Sequence, residues 1–439
     1  MARSFLKFSE RIMILTGIWH PALITGKSAL QKLYLTYYVF VKLYFALFFT
    51  SASMELFLSV GPGRSSPRLF KQLSYIIPSL SIFYAKIACG TVNFRRIVSY
   101  VKEKEKLFCN CEDEDISNLH SRCYRIARLV NMILILTVAS TGIAVVLENL
   151  WRNINTLPYN STSEIVSIIE LHYFGISRKP AMVFVLLEEF MCVFNTTLTL
   201  ATKSITLTCV IFAGYALKVL QIKFRNIGQD GDVNSSLNHV ITQHQDVTRY
   251  ISRLNDLVKY LILIEYVLES LNVAAVSVGL VTNGSQTVLS SVSYLSYLLL
   301  QIFLLGWTAN EVKVQSIALS DALYECSWYE QNESSRKVLL LMIAFTQKPL
   351  KLTIGPFDAM TLQSALTVIK GSYSLAEHIM FFRDETKKTT PKRDLAYFPF
   401  VPPSFRLLIE KLKFKINNNI INKLQMIPVY PYVFEYITS

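Results

Sequence analysis

Charged side chains are scarce in this 439-residue chain, where Asp, Glu, Lys and Arg together make up 17% of the sequence. Hydrophobic residues reach 52%, and the mean hydropathy is +0.35. A soluble protein of this length needs a polar surface that such a composition does not supply, so a membrane protein is indicated. The formal charge of +13 fits basic residues that flank membrane helices, and no basic stripe with spaced aromatics indicates nucleic acid.

A disulfide framework and a catalytic motif are also absent. The seven cysteines lie in apolar segments or in loops predicted to be cytosolic. Cys109, Cys111, His120 and Cys123 could be read as metal ligands, but their spacing fits no standard zinc pattern, and we interpret them as reduced thiols. No Ser/His/Asp set, His-x-x-x-His pair or Gly-rich phosphate loop occurs. We therefore predict no enzyme activity, no metal and no cofactor.

The N-terminus lacks the long apolar core and small-residue cleavage site of a signal peptide. Residues 1–32 are instead predicted to be a cytosolic segment. Because a membrane helix needs about 20 apolar residues, the pattern predicts six spans in residues 33–310 and a more polar seventh. Their predicted ranges are 33–58, 73–92, 126–147, a long region 181–219, 261–281, 288–309 and 357–374. Residues 237–260 are predicted to be an amphipathic helix that leads into the fifth span.

Basic residues predict the orientation of these spans. The segments before the first span and after the second and fourth spans hold at least five Lys or Arg each, whereas the three alternate loops hold three, three and none. The positive-inside rule then places the N-terminus in the cytosol and the end of the seventh span outside, the reverse of a G-protein-coupled receptor. Glycosylation sequons at Asn160 and Asn283 lie in loops predicted to be outside.

Two segments near residue 350 are unusual for a membrane protein. The apolar run 338–345 has about eight residues, and at about 1.5 Å per residue it is too short to cross a hydrocarbon core of about 30 Å. Gln347-Lys348-Pro349 then breaks it. The last predicted helix, 357–374, carries a polar stripe that is costly to expose to lipid, so it is either a seam packed against sister helices or the wall of a pore.

The stretch 320–382 resembles the C-terminal signature of insect odorant receptors. The match comprises the Tyr/Trp pair, the Gln-x-Pro break, the Gly-Pro-Phe approach and the Ser-Tyr-Ser ending. Gly17-Ile18-Trp19-His20-Pro21 resembles the Gly-x-Trp-Pro element that precedes the first helix in that family. The signature positions that match as they stand are Asp321, Tyr324, Trp328, Gln347, Pro349, Gly355, Phe357, Lys370, Tyr373 and Ser374.

The resemblance implies an all-α integral membrane protein with seven transmembrane helices, a cytosolic N-terminus and an extracellular C-terminus. It implies an odorant-gated, non-selective cation channel, assembled as a hetero-tetramer with an olfactory co-receptor in the plasma membrane of a sensory dendrite. Residues 311–374 would form the cytosolic anchor region and the pore-lining seventh helix. Pore-lining candidates on that helix are Gln363, Thr367, Lys370 and Ser374.

In this family the ligand site lies in the outer half of the second to sixth helices. An aromatic, weakly polar pocket there would bind a small volatile hydrophobic ligand through dispersion and one hydrogen bond. Each candidate has ordinary helix packing as its alternative role. The candidates chosen by depth are Tyr75, Pro78, Thr141, Val145, Phe184, Met191, Phe194, Tyr294 and Tyr297.

The resemblance fails at Leu375, where the family continues with a short aromatic and aliphatic run. Here Leu375-Ala376-Glu377-His378 follows, and residues 375–439 form an atypical extension rich in Lys, Asn and Ile. It is either a surface-binding amphipathic element or translated non-coding sequence in place of the natural last exon. The functional alternatives are a gustatory receptor of the same fold and a G-protein-coupled type of chemoreceptor; the Gln-Lys-Pro and Ser-Tyr-Ser details favour the odorant branch.

Overall fold

The described part of the chain is almost entirely helical. The computed structural model describes residues 4–19, 28–59, 113–156, 171–172, 181–227, 233–282, 288–326 and 328–389, together with 76, 78–80, 82–83, 85 and 87–109. Its helices are α1 (Leu6–Leu15), α2 (Ser28–Ser59), α3 (Val92–Cys109), α4 (Glu114–Thr156), α5 (Ala181–Arg225), α6 (Val233–Thr282), α7 (Val288–Glu325), α8 (Glu333–Thr346) and α9 (Leu362–Thr389), with a short 3₁₀ turn at Trp328–Glu330.

Five of these helices are long and apolar enough to cross a membrane. They are α2, α4, α5, α6 and α7, each with an 18-residue window of high hydropathy and few charges. This confirms the helical membrane class predicted from composition. The predicted second span lies only partly within the described residues, and α9 falls outside the five because its polar residues lower its hydropathy.

Several helices run further than the sequence predicted. The amphipathic stretch 237–260 and the fifth span form one continuous helix, α6, and α7 continues well past residue 309 to Glu325. Both helices continue through their polar portions, because an α-helix keeps the same backbone conformation where it leaves the hydrocarbon core. The loops that contain both sequons lie outside the described residues.

The last two helices begin where side chains cap them. Asn332 accepts a hydrogen bond from Ser335 N–H at 2.8 Å, so α8 starts at Glu333 and not near Val338 as predicted. The prediction that the final helix starts at Phe357 was also wrong. Thr361 Oγ1 accepts from Ser364 N–H at 3.2 Å while Ser364 Oγ accepts from Thr361 N–H at 2.9 Å, a reciprocal cap that starts α9 at Leu362.

The last helix ends later than predicted. It runs through Ser374 and the divergent Leu375–His378 stretch to Thr389. Backbone contacts divide the chain into two units, Met1–Ser372 and Tyr373–Ser439. The described part of the second unit is the helical stretch up to Thr389, and residues 390–439 lie outside the described residues.

Helix α5 lies at the centre of the first unit. Within its apolar window 83% of the residues are buried by the rest of the subunit, against 17% in α2. Helices α1, α4, α6 and α7 all pack against α5. The outward faces of α2 and α4 instead expose large apolar side chains, including Phe40, Leu43 and Leu136. Such faces suit contact with lipid.

The N-terminal helix α1 docks into this core through a buried carboxylate. Glu105 of α3 accepts hydrogen bonds from the Ser4 hydroxyl at 2.8 Å and from Phe5 N–H at 2.6 Å. Burial raises the pKa of Glu105, and the two hydrogen bonds oppose that rise. Phe5 then packs edge-on against His120, with 5.2 Å between ring centroids. His120 therefore lies in an aromatic cluster.

The segment between α8 and α9 is held against α6. Gly355 has φ +56° and donates its N–H to the Lys259 carbonyl at 2.8 Å. The positive φ favours glycine, and a Cβ at this position would lie 2.8 Å from Leu263 Cδ2, so a larger residue would also displace that side chain. This explains the Gly-Pro-Phe signature as a docking element that sets where α9 begins.

Candidate functional site

The nine predicted ligand positions fall in more than one apolar cluster. Val145 and Met191 pack against a small buried group that includes Phe48 and Cys192. Phe194, Tyr294 and Tyr297 belong to the main core or pack against it. Pro78 and Phe184 are half-buried, and Tyr75 lies outside the described residues.

Polar contacts join several of these positions. The Thr141 hydroxyl donates to the Thr137 carbonyl at 2.8 Å and approaches the Ser293 carbonyl at 3.2 Å, which ties α4 to α7. The rings of Tyr294 and Tyr297 stack with centroids 6.4 Å apart. Asn272 of α6 donates its Nδ2–H to the Tyr294 hydroxyl at 2.7 Å. The two tyrosines predicted from depth therefore lie at a polar contact between α6 and α7.

The sequence analysis missed a buried ion triad in the same helices. Lys203 Nζ of α5 lies 2.8 Å from Glu265 Oε2 and 3.3 Å from Glu269 Oε1 of α6. The three side chains are 9%, 5% and 12% exposed. Ionisable groups inside a membrane bundle are expensive and must be paired, so they mark a functional or specificity-determining position. The sequence features that could have predicted this triad are one Lys in the fourth apolar region and two Glu, four residues apart, in the fifth predicted span.

Helix α7 completes this polar seam. Gln301 donates its Nε2–H to Glu269 Oε2 at 3.2 Å. Gln301 lies four residues after Tyr297, and Asn272 lies three residues after Glu269, so each pair shares one helix face. We use the name acceptor seam for Glu265, Glu269 and Asn272 of α6 together with Tyr294, Tyr297 and Gln301 of α7.

A second polar network fixes α1 and α4 to α5. Ser204 donates to Asn131 Oδ1 at 2.6 Å, and Asn131 donates to Thr208 Oγ1 at 3.2 Å. Ser9 Oγ lies 2.8 Å from Ser204 Oγ and 3.0 Å from Thr208 Oγ1. All four side chains are fully or nearly fully buried. Because every contact is made between helices, we interpret this network as structural.

Three of the predicted pore positions share one exposed face of α9. Gln363, Thr367 and Lys370 are spaced four and three residues apart, and all are exposed within the subunit. The opposite face is buried and includes Ala365 and Ser372. Ser374 continues the same spacing in the sequence and belongs to the second unit. The polar stripe is therefore left uncovered by the rest of the first unit.

The remaining signature residues named here lie near two breaks, the one between α7 and α8 and the one between α8 and α9. Tyr324 and Trp328 contact each other with ring centroids 6.2 Å apart, and Tyr324 is 67% exposed. Asp321 and Gln347 are exposed, and Pro349 and Phe357 are half-buried. On α8, Leu341 and Phe345 are also exposed. Exposed apolar side chains in one region mark a surface that another protein or lipid covers.

A cleft between α5, α6 and the start of α3 takes in none of the predicted ligand residues. It contains about 410 Å³, including space open to the outside, and is lined mainly by apolar side chains such as Cys89, Phe94, Leu257 and Leu261. Among the described residues, no group of three or more His, Cys, Asp or Glu side chains is arranged to hold a metal ion. The described cysteines Cys89, Cys123, Cys192, Cys209 and Cys326 are buried free thiols.

Comparison with known proteins identifies the family of this chain. The family described as 7tm Odorant receptor matches residues 68–373, well over half of the 439 residues. The chain belongs to the 7tm odorant receptor family. This confirms the resemblance read from the stretch 320–382, and the relatives are named as receptors and not as enzymes.

Individual odorant receptors match at low to moderate identity. Odorant receptor 10 of Aedes albopictus is 31% identical over 179 residues, which are 39% of this chain and 48% of that receptor. Odorant receptor 30a of Drosophila melanogaster is 23% identical over 296 residues, which are 65% of this chain and 76% of that receptor. The match to the mosquito receptor thus spans about half of its length.

A solved structure shares the fold. The olfactory receptor OR5 of Machilis hrabei, determined in complex with eugenol, superposes with a TM-score of 0.73 at 17% sequence identity. The superposition covers 86% of this chain and 98% of the OR5 chain. The long-helix architecture described above is therefore that of an odorant receptor over nearly the whole length of OR5.

Proposed function

We propose that this chain is the odorant-binding subunit of a ligand-gated, non-selective cation channel that it forms with an olfactory co-receptor. Seven helices cross the plasma membrane of a sensory dendrite, with the N-terminus in the cytosol and the end of α9 outside. Family membership supports the receptor role. The single observation that carries the channel role is the exposed polar stripe of α9, since Gln363, Thr367 and Lys370 have no cover within the subunit.

Assembly would cover surfaces that one subunit leaves open. Four α9 helices around a central axis would turn their polar stripes towards a pore filled with water, where exposure costs little. The exposed aromatic and aliphatic side chains near α8, among them Tyr324 and Phe345, would become the contacts between subunits at the cytosolic side. Either a homo-tetramer or a hetero-tetramer would cover both the polar stripe of α9 and the apolar side chains near α8. We favour a hetero-tetramer with the co-receptor.

The ligand site lies among α4, α5, α6 and α7. Thr141, Val145, Phe184, Met191, Phe194, Tyr294 and Tyr297 occur on these helices, while Tyr75 and Pro78 precede α3 in the chain. An OR5 structure holds eugenol, a small aromatic molecule. By analogy we propose a small volatile ligand in this region, held mainly by apolar contact.

Co-expression with an olfactory co-receptor tests the proposal. We expect a panel of volatile alcohols, phenols, esters and ethers to evoke inward current only in cells that express both chains. The control is the same panel on cells with the co-receptor alone. Absence of current in cells that display both chains at the surface would contradict the channel role, and an N-terminal epitope exposed on intact cells would contradict the orientation.

A further inference from the structure

The acceptor seam contains an amide oxygen to which no described residue donates a hydrogen bond. Gln301 donates its Nε2–H to Glu269, and a carboxylate paired with Lys203 can only accept, so the orientation of this amide is chemically fixed. Its Oε1 is buried and receives no hydrogen bond from any described residue. Gln301 itself is 4% exposed. A buried acceptor without a donor is costly, and native structures seldom leave one unexplained.

A second unpaired amide oxygen lies in the same seam. Asn272 is 1% exposed and donates its Nδ2–H to the Tyr294 hydroxyl, which leaves Oδ1 without a donor among the described residues. Gln301 lies two helical turns from Tyr294 on α7, and Asn272 lies one turn from Glu269 on α6. Each of the two facing helices therefore contributes a residue with an unpaired acceptor to the acceptor seam.

The two amide atoms of the seam that lack a partner among the described residues are both acceptors. One N–H of each amide is used, and the Lys203 ammonium is paired with two carboxylates. Glu269 in turn is occupied by Lys203 and Gln301. A molecule that enters between α6 and α7 can pair Gln301 Oε1 or Asn272 Oδ1 only if it carries an O–H or N–H group. A molecule with acceptors alone leaves both amide oxygens unpaired.

We propose that Gln301 and Asn272 are specificity-determining residues that select odorants with a hydrogen-bond donor, namely small alcohols or phenols or molecules with an N–H. This inference rests on the proposed function and names the ligand class of the same site. The apolar body of the ligand packs near Tyr294 and Tyr297, while its donor bonds Gln301 Oε1 or Asn272 Oδ1. Ethers and esters of the same size bind in the same place with lower affinity.

Isomeric ligand pairs test the proposal without any mutation. The probes are 1-heptanol against 1-methoxyhexane and 4-methylphenol against anisole, which differ within each pair in the presence of an O–H. In cells that express this chain with the co-receptor, we expect half-maximal current at about tenfold lower concentration for the isomer with the donor. Equal or better activation by the ether isomers would overturn the proposal.

Variants then connect the preference to the two amides. Gln301→Met and Asn272→Leu keep side-chain size and remove the acceptors, and we expect each to bring the alcohol-to-ether ratio close to one. Leu298→Met, a neighbouring buried position on α7, is the matched control and should affect both isomers equally. Retention of the wild-type ratio in both amide variants would also overturn the proposal.

The experiments can distinguish a wrong channel role from a wrong ligand preference. If no probe evokes current, the channel role is contradicted, and the same isomers are then compared by the thermal shift they produce in the purified wild-type chain. A larger upward shift with the alcohol and phenol than with their ether isomers supports recognition of the donor. Equal shifts, or none from any of the four probes, contradict it.

Discussion

Replacing Lys203 with methionine is expected to cost about 3–5 kcal/mol of folding free energy, the range measured when one partner of a buried ion pair is removed. The variant leaves Glu265 and Glu269 facing each other in a bundle interior where both side chains are almost fully buried. The expected result is a large fall in the melting temperature of the detergent-solubilised protein and in its amount at the cell surface. Fluorescence-detected size-exclusion chromatography after heating measures the melting temperature.

A matched control variant and a rescue variant show whether the stability loss comes from the unpaired charges or from the change in side-chain size. Lys259→Met breaks a surface ion pair with Asp256 in which Lys259 is 27% and Asp256 is 63% exposed, and surface pairs contribute about 0–1 kcal/mol, so its melting temperature should stay close to that of wild type. The triple variant Lys203→Met, Glu265→Gln and Glu269→Gln removes all three charges and should recover most of the lost stability. A Lys203→Met protein as stable as the Lys259→Met protein would show that the triad is not a buried ionic cluster.

Replacing Gly306 with leucine is expected to separate α7 from α9 and to abolish ligand-evoked current. A Cβ at Gly306 would lie 2.7 Å from Ala365 Cβ and 3.3 Å from the Thr361 carbonyl oxygen, so the two helices touch through glycine and alanine. Overpacking of this kind costs about 1–3 kcal/mol. It also displaces the first turn of α9, which positions Gln363 and Thr367. Current amplitude and melting temperature are the measurements.

Gly142 provides the control for this substitution. It lies within α4, and a Cβ there meets nothing within 4 Å. Gly142→Leu therefore adds the same side chain to a membrane helix without a clash, and it should leave both stability and current near wild type. The exchange Gly306→Ala with Ala365→Gly tests the contact itself, since it returns one methyl group to the same space. Normal current from Gly306→Leu would refute a tight α7–α9 contact.

Most of the architecture could be predicted because each membrane helix corresponds to a long apolar run in the sequence. The run 33–58 lies within α2, and the Gln347-Lys348-Pro349 break correctly marks the end of α8. Helix starts were less predictable. The start of α9 depends on a reciprocal bond between Thr361 and Ser364, and hydropathy contains no information about such caps.

The candidate site was predicted less completely than the fold. Tyr294 and Tyr297 were chosen because the family resemblance places the ligand site at their depth in the membrane. Lys203, Glu269 and Gln301 were missed because they lie on three different helices, far apart in the sequence. Only tertiary packing brings them together. A search for opposite charges within separate apolar segments would have found Lys203 and its two carboxylates.

A direct measurement tests the proposal that the face of α9 with Gln363, Thr367 and Lys370 lines a pore. The test compares the reversal potential of odorant-evoked current, with Ca²⁺ as the main external cation, in wild type, Lys370→Glu and Arg128→Glu. Arg128 is an exposed residue of α4 and provides the control for charge reversal. An added carboxylate in the pore attracts divalent cations, so Lys370→Glu should shift the reversal potential to more positive values while Arg128→Glu leaves it unchanged. Robust current from Lys370→Glu with the wild-type reversal potential would contradict a pore lined by this face of α9.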